Sequence, residues 1–341
     1  MRRALVVRLD GAGDVLLAGP AVRAVAAGSE VTMLCGPDGA AAARLLPGVT
    51  DVLTWASPWV LADPPAVRAT DLERLVARLA DRRFAEAVVL TSFHQSPLPT
   101  ALVLRLAGVA RITGASVDYA GALLDVRLRP GEDLPEDIPE PERMTAIAAA
   151  AGYPVVDDGR LAVRPPPPVE DLVPDGRYVV VHPGAAAPAR CWPPDHAAQA
   201  VALLAARGWR VVVTGGGGER GLTAAVAGDA GTDLGGRTDL AQLSGVLAGA
   251  AAVVVGNTGA AHLAAAVGTP VVSLFAPVVP AARWAPYGVP HVLLGDQQAR
   301  CRGSRARECP VPGHPCLASV TPETVVGAVA ALAGAPLEVP A

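Results

Sequence analysis

The stretch from Val253 to Pro277, VVVGNTGAAHLAAAVGTPVVSLFAP, constrains the fold more than any other. A β-branched run meets a Gly-Asn-Thr-Gly turn, a small-residue helical segment follows, and a second β-branched run closes the unit. Strand, turn, helix and strand in that order make a parallel βαβ unit, since parallel neighbours need a crossover connection. The turn falls where the strand ends and the helix begins. There the free N–H groups of Thr258 and Gly259 point outward with the positive end of the helix dipole, an arrangement suited to an anion and above all to phosphate. A second glycine turn, Asp10-Gly11-Ala12-Gly13-Asp14, follows the run Ala4 to Leu9 and puts the Asp14 carboxylate where a helix begins.

The same alternation runs through the whole chain, which predicts an α/β fold with parallel strands. Strands are expected near 4–9, 30–34, 52–55, 86–91 and 110–113, and again near 178–182, 210–214, 232–234, 252–256 and 271–275. At 341 residues and 51% apolar content the chain has material for two cores. The seam is Arg164-Pro165-Pro166-Pro167-Pro168-Val169, whose prolines fit neither a helix interior nor a central strand. We therefore expect an N-terminal Rossmann-like domain over 1–164, a proline linker over 165–169 and a second Rossmann-like domain over 170–341, the two facing across a cleft. The last helix, near Thr321 to Leu332, opens on a Thr-Pro-Glu cap and is expected to pack back on the first domain. The segments 63–65 and 131–142 read as surface loops. Ligands of open α/β sheets sit beyond the C-terminal strand ends, where Asp14, Thr258 and Gly259 all fall.

Composition removes several classes of function. All 28 basic residues are arginine, so a Schiff-base lysine, a pyridoxal-phosphate anchor and a Walker-type GK[ST] loop are excluded, despite the four glycines Gly215 to Gly218. The net charge is −4, and no basic stripe with interleaved aromatics points to nucleic acid. Five cysteines, an odd number, without a long apolar leader suit a reducing cytoplasm. The most apolar region, 246–280, is broken by Asn257, His262, glycines and prolines, which argues against a membrane span.

Five motifs in order resemble those of glycosyltransferase family 9, the ADP-heptose:lipopolysaccharide heptosyltransferase group. They are Asp10-Gly11-Ala12-Gly13-Asp14-Val15; His182-Pro183-Gly184 followed by Arg190-Cys191-Trp192-Pro193; the glycine turn before Glu219; Gly256-Asn257-Thr258-Gly259-x-x-His262-Leu263; and the tail from Cys301 to Cys316. The resemblance covers nearly the whole chain. It implies a GT-B architecture, an inverting transfer that needs no metal or other cofactor, and an ADP-sugar donor held mainly by the C-terminal half. Its usual acceptor is lipopolysaccharide core, which implies peripheral contact with the inner membrane face. The chain's own residues, with no lysine and no evident basic amphipathic helix, do not support a membrane-surface acceptor, and a small-molecule or other glycoconjugate acceptor is the open alternative.

An inverting transfer needs a base for the acceptor hydroxyl, and Asp14, at the family's Gly-Asp-Val position, is the candidate. Its ordinary alternative is a helix N-cap; Asp10 reads as a turn-former. Arg190 stands where the family usually has a lysine on the donor diphosphate, and keeps the charge while adding a bidentate fork. Asn257 replaces the aspartate common before the Thr-Gly pair, so it can hydrogen-bond hydroxyls but cannot act as a base. Glu219 is placed to accept from ribose hydroxyls. His262 matches the family histidine and could bond phosphate or serve only the turn. Gly13, His182 and Gly184 are read as support for the donor site, and Ser92, His94 and Gln95, after a strand, as acceptor contacts.

Cys301, Cys309, His314 and Cys316 raise a zinc reading, but their spacing lacks paired C-x2-C knuckles. A nicotinamide-dependent oxidoreductase is disfavoured because Leu16 stands where the third glycine of G-x-G-x-x-G belongs. A non-catalytic or weakly active sugar-nucleotide-binding protein, or an NDP-sugar epimerase, remains an alternative on the same fold.

Overall fold

The computed structural model describes residues 2–334, which divide between Arg164 and Pro165 into two compact units. In the first unit six parallel strands, β1 (Arg2–Arg8), β2 (Ser29–Cys35), β3 (Val49–Thr54), β4 (Glu86–Val89), β5 (Arg111–Ala115) and β6 (Val126–Leu128), lie in the order β3-β2-β1-β4-β5-β6. In the second, β7 (Tyr178–His182), β8 (Arg210–Val213), β9 (Thr232–Asp233), β10 (Ala252–Gly256), β11 (Val271–Leu274) and β12 (His291–Leu294) lie in the order β12-β11-β10-β7-β8-β9. Each unit thus repeats one plan. Its first strand is flanked by its second and fourth, the order of a doubly wound nucleotide-binding sheet, and the chain reverses direction across the sheet between the first and fourth strands.

The central strands are buried on both faces and accordingly read as unbroken apolar runs, such as Ala4–Val7 and Val253–Val255. One core of the first unit gathers Leu5, Val7, Leu34, Leu79, Val89, Leu104 and Ile112. The second unit gathers Val179, Val181, Val201, Leu204, Val254, Val272 and Val329. Ten strand positions agree with the sequence pattern. The two that the pattern did not announce, β6 and β12, are the sixth strands of their sheets and sit at an edge, short and largely half-buried, where alternation is weak.

The proline segment takes part in the second unit. The Pro167 carbonyl and the Val169 side chain lie so close to the helix Leu240–Ala248 that a Cβ on Gly245 would come within 2.9 Å of each. Arg164 belongs to the first, its N–H donating to the Leu45 carbonyl and its guanidinium to that of Val49. The helix Pro322–Ala333, capped by Thr321, packs on the helix Pro194–Ala206 and on β10, β11 and β12 of its own unit. Residues 131–139 are irregular as expected. Glu140, however, starts the helix Glu140–Ala150 and is wholly buried, which corrects the surface-loop reading at that end. Its charge is drawn inward by a buried arginine described next.

Candidate active site

Strand β1 ends in Arg8, a charged residue at the end of a run buried on both faces. Its guanidinium is completely buried, and carboxylates surround it. Nη2 donates to Asp14 Oδ1 at 2.7 Å and to Ser92 Oγ at 2.8 Å. Nε lies 3.0 Å from Asp10 Oδ2, and Nη1 lies 3.8 Å from Glu140 Oε2. Burial works against the charge on Arg8, but Asp10, Asp14 and Glu140 outweigh it and raise its pKa further. Burial also pushes the Asp10 carboxyl up, Arg8 pulls it back, and the Asp14 charge adds to the rise.

Asp14 is the third residue of the helix Ala12–Leu17, whose N-cap is Gly11. That corrects the alternative of Asp14 as a cap: its side chain serves Arg8 and keeps 30% exposure. Gly13 is the preceding helical residue. Of the three residues after β4, Ser92 is buried against Arg8, and its N–H donates to Gln95 Oε1 at 3.1 Å. Gln95 Nε2 donates to Asp10 Oδ1 at 2.5 Å. His94 is exposed, with its ring edge-on to Phe93 at 5.2 Å. Since β1 and β4 are neighbours, this assembly lies where the first sheet reverses direction.

The second unit builds its site in the corresponding place, beyond β7 and β10. Thr258 caps the helix Gly259–Ala266, its Oγ1 accepting from the Ala260 N–H at 3.3 Å. The Arg190 guanidinium donates to the Asn257 carbonyl at 3.5 Å. Gly256 is required at this point: a Cβ there would come 2.7 Å from the Arg190 carbonyl oxygen. Arg190, which is 67 residues away in sequence, is thereby brought to the Gly-Asn-Thr-Gly turn. Asn257 is 3% exposed, and His262 is equally buried within the helix.

A second group lies at the ends of β7 and β8. His182 Nδ1 is 3.0 Å from Thr214 Oγ1. Glu219 Oε2 accepts from the Gly216 N–H at 2.6 Å. Its carboxylate lies against Gly184, where a Cβ would fall 1.8 Å from Oε1, so the glycine exists to admit the carboxylate. Burial pushes the His182 imidazole below its ordinary value, against the opposing pull of Glu219. Sequence reasoning missed Arg8, Glu140 and Thr214. An arginine closing an otherwise apolar strand, Ala4-Leu5-Val6-Val7-Arg8, was the available signal, since such a charge must be paired when buried.

Around the cysteines, Cys301 and Cys316 are buried, Cys309 is partly so, and burial together with the neighbouring Cys301 and Cys309 pushes the Cys316 thiol up to about 12. His314 Nε2 lies 3.0 Å from the Ala189 carbonyl oxygen. Among the described residues no group of three or more His, Cys, Asp or Glu side chains is arranged to hold a metal ion. Nor is any described helix long and apolar enough to cross a membrane.

Two doubly wound units, each with polar groups collected at its reversal point, define a GT-B-type glycosyltransferase architecture. The family model for glycosyltransferase family 9 (heptosyltransferase) matches residues 142–314, half of the chain, and the chain belongs to that family. ADP-heptose lipopolysaccharide heptosyltransferase II of E. coli has the same fold at 20% identity, with 97% of this chain and 98% of that one covered and a TM-score of 0.72. A family 9 glycosyltransferase from Veillonella parvula gives 14% identity, 97% coverage of both chains and a TM-score of 0.76. E. coli heptosyltransferase WaaC with ADP-2-deoxy-2-fluoro heptose gives 21% identity, 95% and 98% coverage and a TM-score of 0.69. No match was found among curated proteins. The chain is a glycosyltransferase.

Proposed function

We propose that this enzyme transfers heptose from ADP-heptose to an acceptor hydroxyl, with inversion and without a metal ion. The observation that carries the donor half is the convergence of Arg190 on the Thr258-capped helix start, two anion-directed features on one turn. In this reading the Thr258 and Gly259 N–H groups and the Arg190 guanidinium hold the diphosphate. They bind it more strongly as the leaving oxygen gains charge. Glu219 accepts from the ribose hydroxyls, Asn257 and His262 shape the turn, and His182 with Gly184 holds Glu219 in place. The description of the family and the ADP-sugar in the WaaC relative support this choice of donor.

Asp14 is the general base. The acceptor oxygen attacks the anomeric carbon from the face opposite the diphosphate while its proton passes to the Asp14 carboxylate. The C–O bond to ADP breaks with its electron pair on the β-phosphate. A group positioned for such a transfer contributes typically about 10²–10⁴-fold. The acceptor is a glycoconjugate or a small molecule, His94 borders its site, and the enzyme works in the cytoplasm, with peripheral contact with the inner membrane face if the acceptor is a lipopolysaccharide core.

The test is calorimetric titration of the full chain, in chelator, with ADP, UDP, GDP and ADP-heptose. The expected result is ADP-selective binding that Arg190→Ala weakens at least about tenfold, the loss of roughly one charge-assisted contact. Binding indifferent to the nucleotide or to Arg190→Ala would overturn the donor assignment. Asp14→Asn should leave ADP-heptose binding intact while abolishing ADP release in turnover.

A further inference from the structure

We infer that Arg8 is the positioning residue for Asp14, held in one orientation by Asp10, Ser92 and Gln95; this rests on Asp14 being the base. The contacts form a closed circuit. Arg8 Nε faces Asp10 Oδ2 at 3.0 Å, Asp10 Oδ1 accepts from Gln95 Nε2 at 2.5 Å, Gln95 Oε1 accepts from the Ser92 N–H at 3.1 Å, and Ser92 Oγ accepts from Arg8 Nη2 at 2.8 Å. The same Nη2 donates to Asp14 Oδ1 at 2.7 Å. The loop that closes the circuit is anchored from the helix Glu140–Ala150, because the Arg143 guanidinium donates to the Thr91 carbonyl.

This arrangement does two things for proton transfer. It occupies one oxygen of Asp14 and so fixes the plane of the carboxylate, directing its other oxygen to the acceptor proton. It also keeps the buried cation compensated: when Asp14 takes the proton and loses its charge, Arg8 still faces Asp10 and Glu140. A lysine could not replace Arg8, since one ammonium cannot reach along three edges of a planar fork. Ser92 and Gln95 therefore act through Arg8, Ser92 directly and Gln95 by way of Asp10.

The experiment compares wild type, Ser92→Ala, Arg8→Lys and Asp14→Asn as full chains, by two readouts. In ¹⁵N NMR the Arg8 Nη protons should give separate signals in the wild type, as in a fork that cannot rotate, and should merge in Ser92→Ala and in Asp14→Asn. In turnover of ADP-heptose, with water or deacylated lipopolysaccharide core as acceptor, kcat should fall roughly tenfold in Ser92→Ala and roughly 10²-fold in Arg8→Lys, while KM for ADP-heptose stays within about twofold. Merged Arg8 signals in the wild type overturn the inference. So does an inactive Asp14→Asn beside Ser92→Ala and Arg8→Lys at wild-type kcat. A fully active Asp14→Asn overturns the assignment of the base itself, a result distinguishable from the other two.

Discussion

At the scale of single residues the site is built from contacts that a substitution of one atom would break. Gly184 is the sharpest case. Its α-carbon faces the Glu219 carboxylate so closely that Gly184→Ala must expel that side chain, which is free to swing away because it is the end of a flexible residue. The fold should survive, and ADP affinity should fall about tenfold, the worth of one hydrogen bond to a charged group. Calorimetry with Glu219→Gln as the comparison checks this, and an unchanged affinity in Gly184→Ala would remove Glu219 from the donor site. Gly256 differs, because its would-be Cβ meets backbone, the Arg190 carbonyl, which cannot move aside. Asp10 and Asp14 were visible in the glycine turn. Which of them faces outward was not, since that depends on Arg8, and its choice of partners is a matter of neighbouring strands.

At the scale of elements, the two helix starts capped by threonine separate stability from function. Thr258 caps the helix Gly259–Ala266 through the Ala260 N–H, and Thr321 caps the helix Pro322–Ala333 through the Thr324 N–H. Removing either hydroxyl should cost about 1 kcal/mol. Thr258→Ala should in addition weaken ADP binding, while Thr321→Ala should leave it alone. Urea denaturation beside ADP titration distinguishes them, and equal effects on ADP would mean that the turn at Thr258 has no special place in the donor site. The Thr321 cap was legible in the Thr-Pro-Glu start of the last helix, whereas at Thr258 the sequence showed the helix start and the structure showed the cap. The edge strands β6 and β12 were not, because strands this short and half-exposed carry no periodicity to read and exist by pairing with β5 and β11.

At the scale of the whole molecule, the fold uses one plan twice, and a residue of the second unit should make its stability respond to acid. Burial lowers the His182 pKa in the folded state below the ordinary 6.5, so the unfolded chain binds the proton more readily. Stability should therefore be fully present above about pH 6.5 and decline as pH falls from there toward the lowered folded value. His182→Asn should flatten that slope in urea midpoints taken between about pH 7.5 and 5.5; an unchanged slope would show that the imidazole is not the titrating group. The parallel α/β class, the seam at the prolines, the strand-to-helix turn at Thr258 and the motifs of the family can all be read from the chain alone, because each is written in local periodicity or in a few adjacent residues. That Arg8 meets Ser92, 84 residues on, and Glu140, and that Glu219 meets Gly184, emerges from long-range packing alone. The Ser92 and Gly184 pairings follow from β1 lying beside β4 and β7 beside β8, and the Glu140 pairing from the packing of its helix on the helix Gly19–Ala26 and on β5 and β6, none of them set by a pattern within any one segment.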